Sequence, residues 1–220
     1  MIREKIDQLK EHVIRYSSVV REMVDTAFNG LLETNPELAT KVIEEFEPRV
    51  NQIEIELDEE CINAIALYQP EAKDLRIVMM ISKMVADLER IGDKATNIAE
   101  SVLPLVAQPA LKPFVPLPQM KQETLKMLDD AISAFVNEDI QLAYNVLYRD
   151  DVVDKLRDQI LRELISFMMS DSTVIERSLH LLRIARNLEK IADLTSNLCE
   201  EVIYIKEGRN IKHTTELSKK

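Results

Sequence analysis

The residues of this 220-residue chain whose types and spacing could do chemistry are acids placed one helical turn apart. Among the pairs with this spacing, three are the candidates: Glu89 with Asp93, Asp150 with Asp154, and Glu189 with Asp193. The first and third pairs are the same pair repeated 100 residues later in the chain. Residues at i and i+4 of a helix are neighbours on its surface, so the two carboxylates of each pair face the same way.

Carboxylates gathered on adjacent helices repel one another unless a cation lies among them. Two such pairs on antiparallel helices present four or more oxygen atoms, which are the ligands of hard and borderline cations. Fe, Mn, Mg, Ca and Zn are all candidates, although a structural zinc site is normally built from Cys and His. A single acidic pair on a helix flank is usually solvated surface. Its repetition in the chain is what favours a metal site.

The helix that carries Glu89 and Asp93 is predicted to bury the opposite face. Its apolar residues recur at spacings of three and four and form one stripe: Ile77, Ile81, Met84, Leu88, Ile91, Ala95, Ile98 and Val102. On a helical wheel, Glu89 and Asp93 lie roughly 120 to 200° from the centre of that stripe. The stripe is therefore expected in the core, and the two acids on the surface of the bundle.

The preceding helix in each half has the same design. In the first half, the apolar residues Phe46, Val50, Ile53 and Leu57 are flanked by a mostly acidic row, Glu47, Asn51, Glu54 and Asp58. In the second half, Asp150 and Asp154 flank Val153, Leu156 and Ile160. Glu47 is the weaker metal candidate, because the residue one turn further on is Asn51 rather than an acid.

Composition limits the class of protein. A hydrophobic content of 46% with only three glycines predicts a folded chain of long helices, and the all-α class. A net charge of −11 argues against nucleic acid as a partner. The longest apolar run in the helical regions, Ile77 to Ile81, has about five residues, far fewer than a membrane span needs. Cys61 and Cys199 are expected as buried, reduced thiols, which together with the rest predicts a cytoplasmic protein.

Six helices are predicted, because helical periodicity is interrupted at five places: Asn35-Pro36, Gln69-Pro70, a proline-rich stretch, Asn137 to Asp139, and Ser170 to Ser172. Segments 24–27, 47–53 and 87–100 align with segments 128–131, 150–156 and 187–200. A period near 100 residues indicates a duplicated domain. We expect two antiparallel three-helix bundles, over residues 1–104 and 119–206, joined by an extended linker, 105–118, and followed by a polar tail, 207–220.

The duplicated motif resembles that of the PhoU family, and the resemblance extends along the chain to about Tyr204. The residues that carry it are Leu88-Glu89-Arg90-Ile91-Gly92-Asp93 and Leu188-Glu189-Lys190-Ile191-Ala192-Asp193. The resemblance implies surface-bound multinuclear metal clusters, with iron the first candidate. The metal ligands it implies are Glu47, Glu89, Asp93, Asp150, Asp154, Glu189 and Asp193.

The resemblance also implies a function. Members of the family damp phosphate uptake and phosphate-starvation signalling, and they couple the nucleotide-binding subunit of a phosphate ABC transporter to a membrane sensor histidine kinase. No catalytic turnover is expected. A homodimer is expected as well, since the long amphipathic helices have apolar residues that the core is not expected to need, namely Phe28, Leu31 and Leu32.

Two other functions are compatible with an acidic helical bundle. A ferritin-like carboxylate-metal oxidase would place Glu-x-x-His pairs in the bundle core, but no acid on either motif helix has a histidine three residues later. A metal-free helical scaffold would instead use the acidic flanks to bind a basic partner directly. Metal analysis separates the scaffold from the metal-binding adaptor, and oxygen consumption separates the oxidase.

Overall fold

A computed structural model of the chain describes residues 2–111, 116–209 and 211. The α-helices are α1 (Ile2–Leu32), α2 (Pro36–Lys41), α3 (Glu47–Tyr68), α4 (Ala72–Val106), α5 (Pro116–Asn137), α6 (Ile140–Ser170) and α7 (Ile175–Glu207). A π-helical turn, Val42–Phe46, joins α2 to α3 without a break, and a short 3-10 turn, Ser172–Val174, precedes α7. The described residues therefore form six helical rods and no strand, which confirms the predicted all-α class.

Side-chain caps account for two of the predicted breaks. Asn35 is extended, and its side chain accepts a hydrogen bond from the backbone N–H of Glu37. Asp139 does the same at the start of α6, where its carboxylate accepts hydrogen bonds from the backbone N–H groups of Gln141 and Leu142. Such caps satisfy backbone donors that have no partner within the first helical turn. Both long second helices thus begin at equivalent capping residues.

The helices form two three-helix bundles that lie side by side. α1, α3 and α4 pack together, as do α5, α6 and α7, and the bundles meet where α1 packs on α5 and α4 packs on α7. Lys83 of α4 lies 4.0 Å from Glu201 of α7, whereas Glu100 near the other end of α4 pairs with Arg183 at 2.9 Å. α4 and α7 therefore run antiparallel, and the two α3–α4 and α6–α7 hairpins have their turns at opposite ends of the molecule.

The predicted core of α4 is confirmed, since all eight residues of its apolar stripe are buried. The prediction that three apolar residues of α1 are available for a dimer interface was wrong for two of them. Phe28 and Leu31 are buried inside the protein, and only Leu32 of the three apolar residues singled out is exposed, at 46%. The physical reason is that α1 packs against helices of both bundles, so its apolar face must be wider than that of a helix with neighbours on one side.

The π-helical turn explains why the two repeats align at different offsets. The capping residues Asn35 and Asp139 are 104 positions apart, but Glu47 and Asp150, just beyond the turn, are 103 apart. A π turn accommodates one extra residue within a continuous helix. The first repeat therefore has one residue more than the second at this point, and the acids that follow return to register.

Helix extends into both ends of the proline-rich stretch, which was expected to be extended throughout 105–118. α4 continues through Pro104 to Val106, and α5 begins at Pro116. Proline is tolerated in the first turn of a helix, where its missing N–H would have no partner, and Pro104 lies within the last turn of α4. Residues 107–111 are the described, non-helical part of the connection, and Pro113 lies outside the described residues.

The end of the chain differs from the predicted polar tail at one residue. α7 ends at Glu207, and Gly208 follows in the left-handed conformation. Ile211 is nevertheless buried. Residues 210 and 212–220, which include His213, lie outside the described part of the chain. No helix formed by the described residues combines the length and the apolar character that a membrane crossing requires.

Candidate metal centre

In the first repeat, Glu54 of α3 lies close to Glu89 and Asp93 of α4, and we call these three residues the first acidic cluster. Burial raises the pKa of Glu89, and the negative charges of Asp93 and Glu54 raise it further. Arg90 and Lys94 act in the opposite direction. α3 and α4 therefore bring acids from two helices together, and the α3 acid whose charge acts on Glu89 is Glu54 rather than the candidate Glu47.

The hydroxyl of Tyr16 adds an oxygen from a third helix, α1, to the surroundings of this cluster. Tyr16 is fully buried, and its hydroxyl has no hydrogen-bond partner among the described residues. Burial raises the pKa of Tyr16, and the charges of Glu89, Glu54 and Asp93 raise it further, in that order. A buried, unpartnered hydroxyl is uncommon in a folded protein. This one lies within the electrostatic reach of all three acids of the first acidic cluster.

In the second repeat, Asp150 and Asp154 of α6 meet Glu189 and Asp193 of α7, and we call these four residues the second acidic cluster. Burial raises the pKa of Asp150 to about 6, with further contributions from the charges of Asp193 and Asp154. The structure therefore brings together carboxylates from both helices here too.

Two cations lie within the second acidic cluster. Nη2 of Arg157 is 3.3 Å from Oε1 of Glu189 and 3.9 Å from Oδ1 of Asp154. Nζ of Lys190 is 2.6 Å from Oδ2 of Asp193. The sequence predicted that a metal ion would neutralise these carboxylates. Arg157 and Lys190 neutralise part of their negative charge instead.

The acids are close, but they do not form a ready-made ligand set. Within residues 2–111, 116–209 and 211, no three or more His, Cys, Asp or Glu side chains are arranged so that they could hold a metal ion. Glu47 is half-buried at the start of α3, and no hydrogen bond or ion pair of its side chain is found among the described residues. A metal would therefore require these side chains to rotate, and metal binding stays a prediction.

Sequence reasoning placed Glu54 on the acidic flank of its helix but did not name it as a metal ligand. It missed two other residues of this region. Tyr16 reads as an ordinary core residue of α1. Arg157 reads as a solvated cation, and its pairing with Glu189 depends on how closely α6 packs on α7, which the sequence does not specify.

A cavity of about 530 Å³ lies between α1 and α3, and Tyr16 forms part of its wall. Arg15 and Arg49 line it, but so do Glu56 and Glu60. The charges of the lining are mixed, and they favour neither an anionic nor a cationic ligand.

Both three-helix repeats match a known domain. The PhoU domain matches residues 13–102 and again residues 117–202. The phosphate-specific transport system accessory protein PhoU homolog of Aquifex aeolicus is 41% identical over 210 residues, covering 96% of this chain and 95% of the relative. The phosphate-specific transport system accessory protein PhoU of Escherichia coli is 35% identical over 209 residues, covering 95% of this chain and 86% of the relative.

Solved structures show the same fold. The crystal structure of PhoU from Pseudomonas aeruginosa superposes with a TM-score of 0.90 at 34% identity, covering 95% of this chain and 100% of that one. The phosphate transport system regulatory protein PhoU from Streptococcus pneumoniae gives a TM-score of 0.89 at 28% identity, with coverage of 96% and 99%. The duplicated motif, the two bundles and the full-length similarity agree, and the chain belongs to the PhoU family.

Proposed function

We propose that this protein is a negative regulator of phosphate uptake and phosphate-starvation signalling. It acts in the cytoplasm as an adaptor between the nucleotide-binding subunit of a phosphate ABC transporter and a membrane sensor histidine kinase. The observation that carries the proposal is similarity over nearly the whole chain to accessory proteins of the phosphate-specific transport system. Such an adaptor works by binding, so no catalytic turnover is part of the proposal.

Exposed apolar residues support binding to proteins at both ends of the molecule. At the turn between α3 and α4, Ile62, Leu75 and Met79 are exposed. The equivalent residues at the turn between α6 and α7, Ile165, Ile175 and Leu179, are exposed as well. Clustered apolar side chains at the surface are typical of interaction sites. Because the two turns lie at opposite ends, each could engage a different partner.

The acidic clusters are proposed to bind multinuclear metal, with iron as the first candidate and Mn, Mg, Ca or Zn as alternatives. Support comes from the repetition of the acids in both bundles and from the carboxylate repulsion at Glu89 and Asp150. A bound cation would relieve that repulsion and link the two helices of each cluster. It would also change the charge of the surface offered to a partner.

Binding to immobilised nucleotide-binding subunit and to the cytoplasmic part of the kinase tests the adaptor proposal. We expect Ile62→Glu with Met79→Glu to weaken binding to one partner, and Ile165→Glu with Leu179→Glu to weaken binding to the other. Val136→Glu, on an exposed residue of α5, is the matched control for added charge. Failure of the wild-type protein to bind either partner would refute the adaptor. Sedimentation at several concentrations tests the proposed homodimer.

A metal-free scaffold is the second candidate, and the lack of a ready-made metal site among the described residues favours it. In this function the acidic clusters bind basic side chains of a partner directly. Metal analysis of protein purified without chelator distinguishes the two, because the scaffold requires only substoichiometric, nonspecific metal. Catalytic oxygen consumption with ferrous ion would instead support an oxidase.

A further inference from the structure

The two acidic clusters occupy equivalent places in the repeats but differ in one charge. Beyond the π-helical turn the repeats align at an offset of 103, which matches Glu47 with Asp150. The same offset matches Glu54 with Arg157. The first repeat therefore has an acid where the second repeat has a guanidinium, on the same flank of the corresponding helix.

Arg157 is held in the second acidic cluster by several contacts. It bridges the two helices, because it pairs with Glu189 of α7 at 3.3 Å and lies 3.9 Å from Asp154 of α6. Its other terminal nitrogen pairs with Asp158 at 3.0 Å. The side chains of Arg157 and Glu189 are only 28% and 17% exposed. Coulombic attraction is stronger at such partly buried positions than between fully solvated groups.

The first acidic cluster has no such cation. No hydrogen bond or ion pair connects the side chains of Glu54, Glu89 or Asp93 to other described residues. Arg90 corresponds to Lys190 of the second repeat, but its guanidinium pairs with Asp87 at 3.2 Å instead of with Asp93. Among the described residues, the carboxylates of this cluster thus have no ion-pair partner, and Arg90 and Lys94 act on Glu89 only from farther away.

The surroundings of the two clusters differ in a second respect. Tyr16 places a buried, unpartnered hydroxyl beside the first acidic cluster. The offset of 104 that applies to the first helices matches Tyr16 with Met120, which is fully buried in the second repeat. Oxygen ligands suit hard cations, whereas a thioether does not. A buried hydroxyl also lies beside the second acidic cluster, that of Ser196 next to Asp150. The repeats therefore differ here in the tyrosine that α1 contributes, and not in the presence of a hydroxyl.

We propose that Arg157 is a built-in counter-cation that closes the second acidic cluster to metal ions, so that the first acidic cluster is the one that takes a cation from solution. The inference rests on the metal-binding part of the proposed function and restricts that binding to the first acidic cluster. A divalent ion entering the second acidic cluster would have to displace the guanidinium from Glu189 and remain close to it. Repulsion between the two positive charges weakens binding there by about tenfold or more relative to the first acidic cluster.

The inference is tested by exchanging the charges at the two equivalent positions, Glu54 and Arg157, and measuring the binding of Mn²⁺. Bound Mn²⁺ is counted by equilibrium dialysis, and the loss of the free-ion signal is followed by electron paramagnetic resonance. In the wild-type protein, we expect Asp93→Ala to abolish binding and Asp193→Ala to leave it unchanged. Arg157→Glu should add a second set of sites, with an affinity at least about tenfold higher than that of any residual binding at the second acidic cluster of the wild type. Glu54→Arg should remove the first set.

Two control variants show whether the effect depends on where the charge is changed or only on the change in total charge. Arg162→Glu makes the same change of charge on the same helix, at an exposed residue outside the cluster, and should add no site. Arg157→Lys keeps the positive charge and should behave like the wild type. Circular dichroism verifies that each variant retains its helices.

Three results would overturn the inference. In the first, Asp193→Ala loses Mn²⁺ binding and Asp93→Ala does not. In the second, Arg157→Glu and Arg162→Glu bind equal amounts of Mn²⁺. In the third, neither the wild type nor Arg157→Glu binds Mn²⁺. The last result would also remove the metal from the proposed function. It would leave the adaptor untouched, because binding of the two partner proteins is measured separately.

Discussion

Replacing Glu138 by glutamine removes a carboxylate that connects both repeats. Glu138 lies in the turn between α5 and α6. Its Oε2 accepts a hydrogen bond from Lys73 of α4 at 2.9 Å and lies 3.4 Å from Lys206 of α7, and its Oε1 lies 3.4 Å from Lys10 of α1. The pKa of Glu138 is lowered from 4.5 to about 2, chiefly by the hydrogen bond from Lys73 against the opposing cost of burial, with contributions from the charge of Lys10 and the hydrogen bond from Lys206.

The size of the effect follows from this shift. One pKa unit corresponds to about 1.4 kcal/mol, so a shift from 4.5 to about 2 sets an upper limit of about 3.5 kcal/mol on the stabilisation. Lys73 and Lys206 are about half exposed, and solvent screens their attraction. We therefore expect Glu138→Gln to lower the free energy of unfolding by about 1 to 2 kcal/mol at pH 7.

Urea denaturation at several pH values measures this loss. A lowered pKa in the folded state stabilises the protein fully above the unfolded value near 4.5, and the stabilisation is lost as the pH falls toward 2. The difference between wild type and Glu138→Gln should therefore shrink between pH 5 and pH 2. Glu33→Gln, at an exposed residue of the first bundle, is the control and should change stability by less than about 0.5 kcal/mol. A difference at pH 7 no larger than the control's, or one independent of pH, would refute the reasoning.

Three further predictions concern the site and its packing. Asp93→Ala combined with Asp193→Ala should lower bound metal, as measured by elemental analysis, and leave the circular dichroism spectrum unchanged, because both side chains are half-buried at the surface; loss of helicity would contradict this. Gly92→Ala should lower the free energy of unfolding, measured by urea denaturation, by about 1 kcal/mol despite the better helix propensity of alanine. The reason is that the new Cβ would lie 2.9 Å from Cγ1 of Val50. An unchanged free energy of unfolding would show that α3 shifts freely. Burial raises the pKa of the Cys61 thiol to about 12, so a thiol reagent at pH 8 should label it only after denaturation; rapid labelling of the native protein would contradict its burial.

Much of the fold could be predicted from the sequence because helix boundaries are set locally. Asn35 and Asp139 precede helices as capping residues do, and the apolar stripe of α4 has a period that only a helix explains. The ends of the linker could not be predicted in the same way. Proline suits the first turn of a helix, where Pro116 lies, but Pro104 lies inside α4 and removes one backbone hydrogen bond from its last turn. Neighbouring packing decides whether a helix continues through such a residue.

The candidate site was predictable only in part, because a site depends on distances between helices. The pairing of acids within one helix follows from a spacing of four, and the structure brings Glu89 and Asp93 together as predicted. The convergence of Glu54 from α3 and Tyr16 from α1 depends on how three helices pack. The charge pairing of Arg157 likewise depends on the separation of α6 and α7, which no single-helix pattern contains.

The regulatory role is tested most directly by the rate of radiolabelled phosphate uptake in phosphate-rich medium, in cells deleted for their own copy of the gene and complemented with this chain. The account predicts that complementation lowers the uptake rate and represses a phosphate-starvation reporter, compared with an empty vector. Equal uptake and equal reporter output in the two strains, with the protein present at normal levels, would contradict it.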